Sequence, residues 1–149
     1  MIIIATLFFL LGGQTVQLEE ANTPDQKVWG LMGRSSLKEN DGMLFFFDPP
    51  EILSVWMFNC WIDLDVAFLD SNMKIQEIHY LKAYPEKMDP KRPVLGLNDF
   101  RLYPHDDPVI QFFHEKSVKS SYRSSYILEM PGGWFKSHQI KVGDPLVYK

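Results

Sequence analysis

The feature that most constrains the fold is a series of short strand-like segments separated by turn residues at close spacing. Residues 43–47 are apolar on both faces, which predicts a central strand that is buried from two sides and ended by Pro49 and Pro50. In residues 62–69 apolar side chains alternate with Asp63 and Asp65, which predicts a strand with one apolar and one acidic face. Four further strands are predicted at residues 54–59, 75–82, 126–130 and 145–148.

The apolar amino terminus fits a strand better than it fits a membrane segment. The run stops at Gly12, whereas a spanning helix needs about 20 apolar residues. A signal peptide begins with basic residues, and the first basic residue here is Lys27. Gly12 and Gly13 favour a hairpin turn. We therefore expect the chain to start directly in a strand and to be cytoplasmic, with export as the alternative if residues 1–13 act as a signal.

The strongest helix signal follows this hairpin. Thr23 is a capping residue, Pro24 suits the first helical position, and Gln26 completes a capping box. The helix is expected to run to about Met32 and to stop at Gly33. Its buried side is expected to carry three apolar residues, Val28, Leu31 and Met32.

Together these elements predict an α+β fold, an antiparallel-rich small barrel or half-barrel with one amino-terminal helix and one or two short helices. Alternating strand–helix units are missing from the pattern, so a doubly wound parallel sheet is not expected. The 149 residues have the length of one domain, and 46% of them are apolar, which excludes a disordered chain.

A long segment at about residues 86–123 interrupts the strand pattern. We interpret residues 1–149 as a single domain and this segment as an extended insertion in it. It is rich in proline, and a loop of this length is unusual in a compact domain. Asp107 and Pro108 predict the start of a short helix inside it. One hypothesis makes the insertion a protein-interaction arm, whose deletion should leave the fold intact.

Charge and cysteine content exclude several classes of function. The net charge is −4, which argues against a sequence-independent hold on nucleic acid. Residues 39–79 contain eight acids and one base, so a cation or a basic partner is first sought there. Cys60 is the only cysteine, which excludes a disulfide framework and a cysteine-cluster metal site. We expect a monomer with no cofactor and no membrane span, whose partner is a small molecule or a protein.

Several phrases of the chain share their order and spacing with one family over residues 14–82 and 124–148. They are WGLMGR at 29–34, GMLFFF at 42–47, WMFN at 56–59 with IDLDVAFLD at 62–70, YILE at 126–129, and IKVGD at 140–144. In these segments the chain resembles the domain of unknown function 192 family of bacteria and archaea. The resemblance implies a small β-rich α+β domain and brings no established activity, cofactor or catalytic residue.

The chain departs from the usual family pattern at four positions. Phe58 and Cys60 stand where the family usually has Lys and Thr, so a polar site that uses those groups is expected to be weakened. Asp63 stands in place of a usual Pro. Met73 stands in place of a turn Gly, which leaves Asn72 as the residue expected to take a positive φ.

Isolated polar residues on an apolar scaffold are the candidates for ligand binding. They are Arg34, Asn59, Asp65 and Glu129, with Trp56 as an aromatic candidate. A structural role competes for each of them, and for Arg34 we favour an ion pair with Asp65 or Glu129. Cys60 has no neighbouring base and is interpreted as a small buried apolar residue.

Metal ligation is a weaker hypothesis. Asp63 and Asp65 lie about 7 Å apart along one strand face and could bind a hard cation together with Asp70. The competing interpretation is an ordinary solvated strand face, which we favour for Asp63. For Asp65 a place in an interior polar network is weighed equally. A second metal hypothesis joins residues 105–107 with residues 114–115, where helix capping and surface charge explain the sequence more simply.

Three functions follow from these residues. The first is a non-enzymatic ligand-binding or accessory module, with one pocket in which Arg34, Asn59, Asp65 and Glu129 converge. The second is a carboxylate-based or metal-assisted hydrolase that uses Asp63, Asp65 and Glu129, and it requires carboxyl groups about 5–9 Å apart. The third is a protein-interaction domain that acts through the insertion.

Overall fold

The computed structural model of the protein describes residues 4–149, which contain nine strands and four short helices. The strands are β1 Thr6–Leu11, β2 Gln14–Ala21, β3 Asp41–Glu51, β4 Ser54–Val55, β5 Leu64–Leu69, β6 Ile75–Leu81, β7 Val118–Lys119, β8 Ser124–Pro131 and β9 Val147–Tyr148. The helices are α1 Pro24–Trp29, α2 Leu97–Phe100, α3 Pro108–Glu115 and α4 Trp134–Ser137, and a single 3₁₀ turn spans Pro85–Lys87.

Seven strands form one curled sheet, a half-barrel, in the order β6-β5-β8-β3-β2-β1-β9. The pair β4 and β7 stands apart from it. The sheet is mixed, because β2 and β3 pair in parallel while the other neighbours are antiparallel. The connection through α1 returns the chain to the same end of the sheet, which a parallel pair requires. Residue alternation contains no information on strand direction, so the sequence did not indicate this pair.

The amino-terminal run forms a strand over its described part. β1 pairs with β2 through a turn in which Gly12 and Gly13 have φ values of 57° and 78°. The first three residues of the predicted strand lie outside the described residues. No helix within residues 4–149 is long and apolar enough to cross a membrane.

Helix α1 begins where its capping residues place it and ends earlier than expected. The Thr23 side chain accepts a hydrogen bond from the Gln26 amide, and the reciprocal bond completes the capping box. The helix ends at Trp29 because Gly30 takes a φ of 51°, so the expected extension to Met32 is wrong. Val28 is exposed, whereas Leu31 and Met32 are buried by the turn that follows the helix.

Three strand predictions need correction. β3 continues through Pro49 and Pro50 to Glu51, because a register shift after Phe46 removes the prolines from the regular ladder. The segment 54–59 is a strand only at β4. β5 begins at Leu64 instead of residue 62, and all six of its residues are buried, so Asp65 does not lie on a solvated face.

The sheet is covered on both faces. One face, here called the insertion face, carries Phe45, Val66 and Ile127 and packs against Ile110 and Phe113 of α3. The opposite face, here called the α4 face, carries Leu44, Ala67 and Leu128 and packs against Trp134 and Phe135. Since β5 and β8 lie inside the sheet and have cover on both sides, nearly all of their residues are buried regardless of alternation. In β3 the same holds for residues 42–45, whereas Phe46 and the last four residues are exposed.

The insertion is folded onto the framework. Met88, Val94, Ile110 and Phe113 belong to the same core cluster as the insertion face. The predicted helix is present as α3, and the Asp107 carboxylate accepts a hydrogen bond of 2.9 Å from the Val109 amide at its start. With α2 and α4 the described residues contain three short helices besides α1, one more than expected.

The turn between β5 and β6 differs from the sequence expectation. Met73 itself has a φ of 61°, so the assignment of the positive φ to Asn72 is wrong. The Asn72 amide instead donates to the Asp70 carboxylate at 2.8 Å, which fixes Asn72 in an Asx turn.

Candidate functional site

A cavity of about 320 Å³ lies between the insertion face of the sheet and the helices α1, α2 and α3. Six aromatic side chains line it: Trp29, Phe45, Phe47, Trp56, Phe58 and Phe100. The residues nearest the sheet are buried, whereas Lys27 is half-buried and His114 is exposed at the mouth. The cavity is therefore an apolar recess that opens to solvent between helices.

Among the described residues, Glu129 is the only one with a carboxyl group that lines this cavity. It lies on the central strand β8, opposite Met43 of β3 and Val66 of β5, and is 6% exposed. Its carboxyl group makes no hydrogen bond with any described residue, and yet no described side-chain oxygen is both fully enclosed and unpartnered. The unpartnered carboxyl oxygens therefore face the cavity.

Burial without a partner changes the acidity of this carboxyl group. Removal from water raises the pKa of Glu129 to about 8, because no donor or cation compensates the charged form. Glu129 therefore keeps its proton to a higher pH than an ordinary glutamate, and in the protonated form it can both donate and accept a hydrogen bond.

Cys60 lines the same cavity and is buried. Burial, and next the nearby Glu129 charge, raise the pKa of the Cys60 thiol far above its ordinary value. A thiolate nucleophile is therefore disfavoured here. The interpretation of Cys60 as a small buried residue is confirmed.

The aromatic wall has a defined geometry. The Trp56 ring stacks on Phe58 with centroids 5.2 Å apart and lies 4.8 Å from the His114 ring. The Lys27 ammonium lies 4.1 Å from the centre of the Phe47 ring. The wall thus holds a cation of the protein itself against an aromatic face.

Two of the departures from the family pattern fall in this cavity. Phe58, which stands where the family usually has Lys, is fully buried and lines it. Cys60 stands where the family usually has Thr. At neither position does this chain offer Glu129 an ammonium group or a hydroxyl group.

Arg34 lies elsewhere and has a different partner from the expected one. Its guanidinium forms an ion pair of 2.5 Å with Glu19 of β2, beside a small cavity of about 100 Å³. The predicted pair with Asp65 or Glu129 is wrong. The turn after α1 brings Arg34 next to β2, a neighbour that the sequence pattern does not specify.

Asn59 has a structural role in joining two segments. It is 1% exposed with a φ of 57°, and its side-chain amide donates to the Val94 carbonyl at 3.0 Å. Its own carbonyl accepts from the Gly33 amide at 2.9 Å. Asn59 also lines a second cavity of about 600 Å³, between the framework and the insertion.

The three aspartates proposed as metal ligands are each satisfied by donors of the protein. Asp65 accepts from the amides of Gly133 and Phe135 at 2.9 and 2.7 Å. Asp63 accepts from the Tyr80 hydroxyl and the Ala83 amide. Asp70 accepts from two amides of its own turn. Among the described residues no three His, Cys, Asp or Glu side chains are grouped as metal ligands, so neither predicted cluster forms.

The register of the sheet also separates the proposed catalytic carboxylates. Val66 stands opposite Glu129, whereas its neighbour Asp65 stands opposite Met130. Successive residues of a strand point to opposite faces, so Asp65 lies on the α4 face and Glu129 on the insertion face. Asp65 and Glu129 therefore do not form the pair of facing carboxylates that a hydrolase requires, and the prediction of such a pair is wrong.

Of the five ligand-binding candidates, the structure brings together Glu129 and Trp56. Arg34 and Asn59 line other cavities, and Asp65 holds the backbone at α4. The expectation of one pocket with four converging polar groups is wrong. Sequence reasoning missed Lys27, Trp29 and His114 as lining residues, since their contribution depends on how α1 and α3 pack.

The fold and the cavity define a small α+β domain with a half-barrel sheet, covered on both faces, and one buried carboxyl group in an aromatic recess. The chain belongs to the domain of unknown function 192 (DUF192) family, whose profile, described as Uncharacterized ACR, matches residues 9–101. The family that the sequence motifs resemble is thereby confirmed.

Two solved structures are similar over almost the whole chain. A "putative transcription regulator" from Sinorhizobium meliloti 1021 has 25% identity and a TM-score of 0.69, covering 98% of this chain and 95% of that chain. A protein of unknown function from Novosphingobium aromaticivorans DSM 12444 has 23% identity and a TM-score of 0.69, covering 96% and 84%, and shows the fold alone. No match is found among curated proteins. These similarities support no specific function.

Proposed function

We propose that this protein is a small-molecule binding module. Its ligand is a largely apolar compound that enters the aromatic cavity and forms a hydrogen bond with Glu129 through one polar group. The observation that carries the proposal is the Glu129 carboxyl group, which is 6% exposed, faces the cavity and has no partner among the described residues.

The energetics support a ligand at this position. A polar group that is fully buried without a hydrogen bond costs roughly 1–3 kcal/mol. The Glu129 carboxyl group, which is largely but not fully removed from water, bears part of this cost, and a ligand that supplies a hydrogen-bond partner recovers it. The cavity volume of about 320 Å³ lies at the small end of ligand pockets, which span roughly 300–1,000 Å³ and combine apolar walls with few polar groups. Because the pKa of the Cys60 thiol is raised, the thiolate form that a nucleophile requires is disfavoured. The cavity is therefore better suited to binding a ligand than to nucleophilic catalysis.

A fragment screen by NMR on isotope-labelled protein tests this proposal. Fragments that bind the cavity should shift the indole signal of Trp56 and the amide signal of Glu129. Trp56→Phe should weaken the binding of such fragments several-fold. Trp61→Phe is the matched control, since Trp61 is an exposed tryptophan that does not line this cavity. Fragments that bind only elsewhere, or that respond equally to both variants, would contradict the proposal.

A further inference from the structure

Resting on the proposed function, we propose that the polar group of the ligand is a cationic amine, so that the cavity is a site for organic ammonium compounds with an apolar body. Such a ligand places its ammonium against Glu129 and its apolar part against the aromatic side chains. Glu129 lies on the sheet side of the cavity, on the strand β8 between β3 and β5.

The carboxyl group at this position is best satisfied by a cation. A neutral ligand supplies a hydrogen bond but leaves no charge to balance an ionised Glu129. An ammonium group supplies several donors and a positive charge, and such charge-assisted hydrogen bonds are about twice as strong as neutral ones. The attraction is also large because this carboxyl group is removed from water.

The walls support the same ligand class. Trp and Phe rings attract cations to their faces, and six such side chains line the cavity. Among the lining residues there is one example already, since the Lys27 ammonium lies 4.1 Å from the centre of the Phe47 ring.

Among the described residues, three other titratable groups line the cavity and can affect the binding of a charged ligand. They are Lys27 on α1, His114 on α3 and Cys60 after β4. Lys27 repels a bound ammonium, but it is half-buried near the mouth and already engaged with Phe47, whereas Glu129 is buried and unpartnered. Lys27→Gln should therefore strengthen the binding of an amine and weaken that of a carboxylate.

Three compounds of nearly equal shape test the charge preference: 2-phenylethylamine, 2-phenylethanol and phenylacetate. Dissociation constants are measured by NMR titration of the labelled protein at pH 8. The amine should bind at least tenfold more tightly than the alcohol, and phenylacetate should bind most weakly. Glu129→Gln should reduce amine binding to the level of the alcohol, whereas Glu115→Gln, which changes an exposed acid outside the cavity, should not.

Amine binding should also tighten between pH 6 and pH 8, because the bound state requires an ionised Glu129 and releases its proton. This pH dependence should disappear in Glu129→Gln. Equal binding of amine and alcohol in the cavity would overturn the inference and leave the proposed function standing. Tightest binding by phenylacetate, weakened in Lys27→Gln, would overturn it in favour of anionic ligands. Failure of all three to shift the cavity signals would also overturn it, and the fragment screen then decides the proposed function separately.

Discussion

Glu129 is a carboxyl group that folding removes from water without giving it a partner. The cost of this burial falls on the charged form, which is why the pKa rises from 4.5 to about 8. Between these two values the folded protein holds a proton on Glu129 that the unfolded chain releases. The contribution of this residue to stability is therefore fully present below about pH 4.5 and is lost as the pH rises toward 8.

Glu129→Gln should remove this pH dependence. A difference in bound protons of one changes the free energy of unfolding by about 1.4 kcal/mol per pH unit. We expect the variant to gain stability relative to the natural protein as the pH rises from 5.5 to 8. Urea denaturation at several pH values measures the difference. If the free energies of unfolding of the two proteins changed with pH in parallel, the pKa of Glu129 would not be raised by folding, which would contradict the prediction. The control variant Glu115→Gln should show the same pH dependence as the natural protein.

The sequence made part of this site predictable. Glu129 is the only acid in its predicted strand and Trp56 belongs to a family motif, and both line the cavity. Arg34 shows why prediction stops there, because its partner Glu19 lies on a strand whose place beside the turn follows from the parallel β2–β3 pair. Periodicity specifies which residues share a face but not which strands are neighbours.

At the scale of elements, Asp65 holds helix α4 to strand β5. The helix has four residues, too few to be stable by itself, and its N-cap position is occupied by Gly133, which provides no side-chain cap. The Asp65 carboxylate takes that role from the neighbouring strand by accepting two amide hydrogen bonds. The acid in the middle of a strand pattern thus serves the backbone of another element.

Asp65→Asn should destabilise the protein by about 1–3 kcal/mol, because the amide group of Asn faces a backbone donor that the carboxylate accepted. The amide of Phe135 should lose its protection from hydrogen exchange more than the amides of β8. Asp106→Asn makes the same chemical change at an exposed residue of the insertion and should have an effect within about 0.5 kcal/mol. Equal effects of the two substitutions would contradict the proposed role of Asp65.

The insertion is a second element whose role depends on packing. Phe113 is fully buried against the framework, so Phe113→Ala should cost about 3–5 kcal/mol. Leu102→Ala is the matched control in the same segment, because Leu102 is 81% exposed and its truncation should change little. Chemical denaturation of both variants measures the difference. A small loss for Phe113→Ala would restore the hypothesis of a separable interaction arm, whose deletion leaves the fold intact.

At the scale of the molecule, amide exchange should follow the order of the strands. β8 has partners on both sides and cover on both faces, whereas β9 has two residues at the edge of the sheet. The amides of Leu128 and Ile127 should therefore exchange most slowly, and those of β9 among the fastest of the strand residues. Hydrogen–deuterium exchange followed by NMR measures these rates. Faster exchange in β8 than in β1 would contradict the description of β8 as the centre of the sheet.

The fold was predictable where local chemistry decides it, as in the capping box of α1 and the hairpin turn at Gly12 and Gly13. It was not predictable where distant segments decide it. The alternation around Asp63 and Asp65 indicated a half-exposed strand, yet β5 is covered on both faces because the insertion and α4 pack on it from opposite sides. The number of covered faces is a property of the assembled molecule.

The position of β8 in the chain has a consequence for synthesis on the ribosome. β8 lies between β3 and β5 in the sheet, but both neighbours are translated well before it. Until Ser124–Pro131 leaves the exit tunnel, the nascent chain holds two strands whose facing edges are open, and such edges pair readily with other chains. Chains that stall before this point are therefore expected to depend on chaperones, whereas the arrival of one late strand closes both edges and installs Glu129 in the same step.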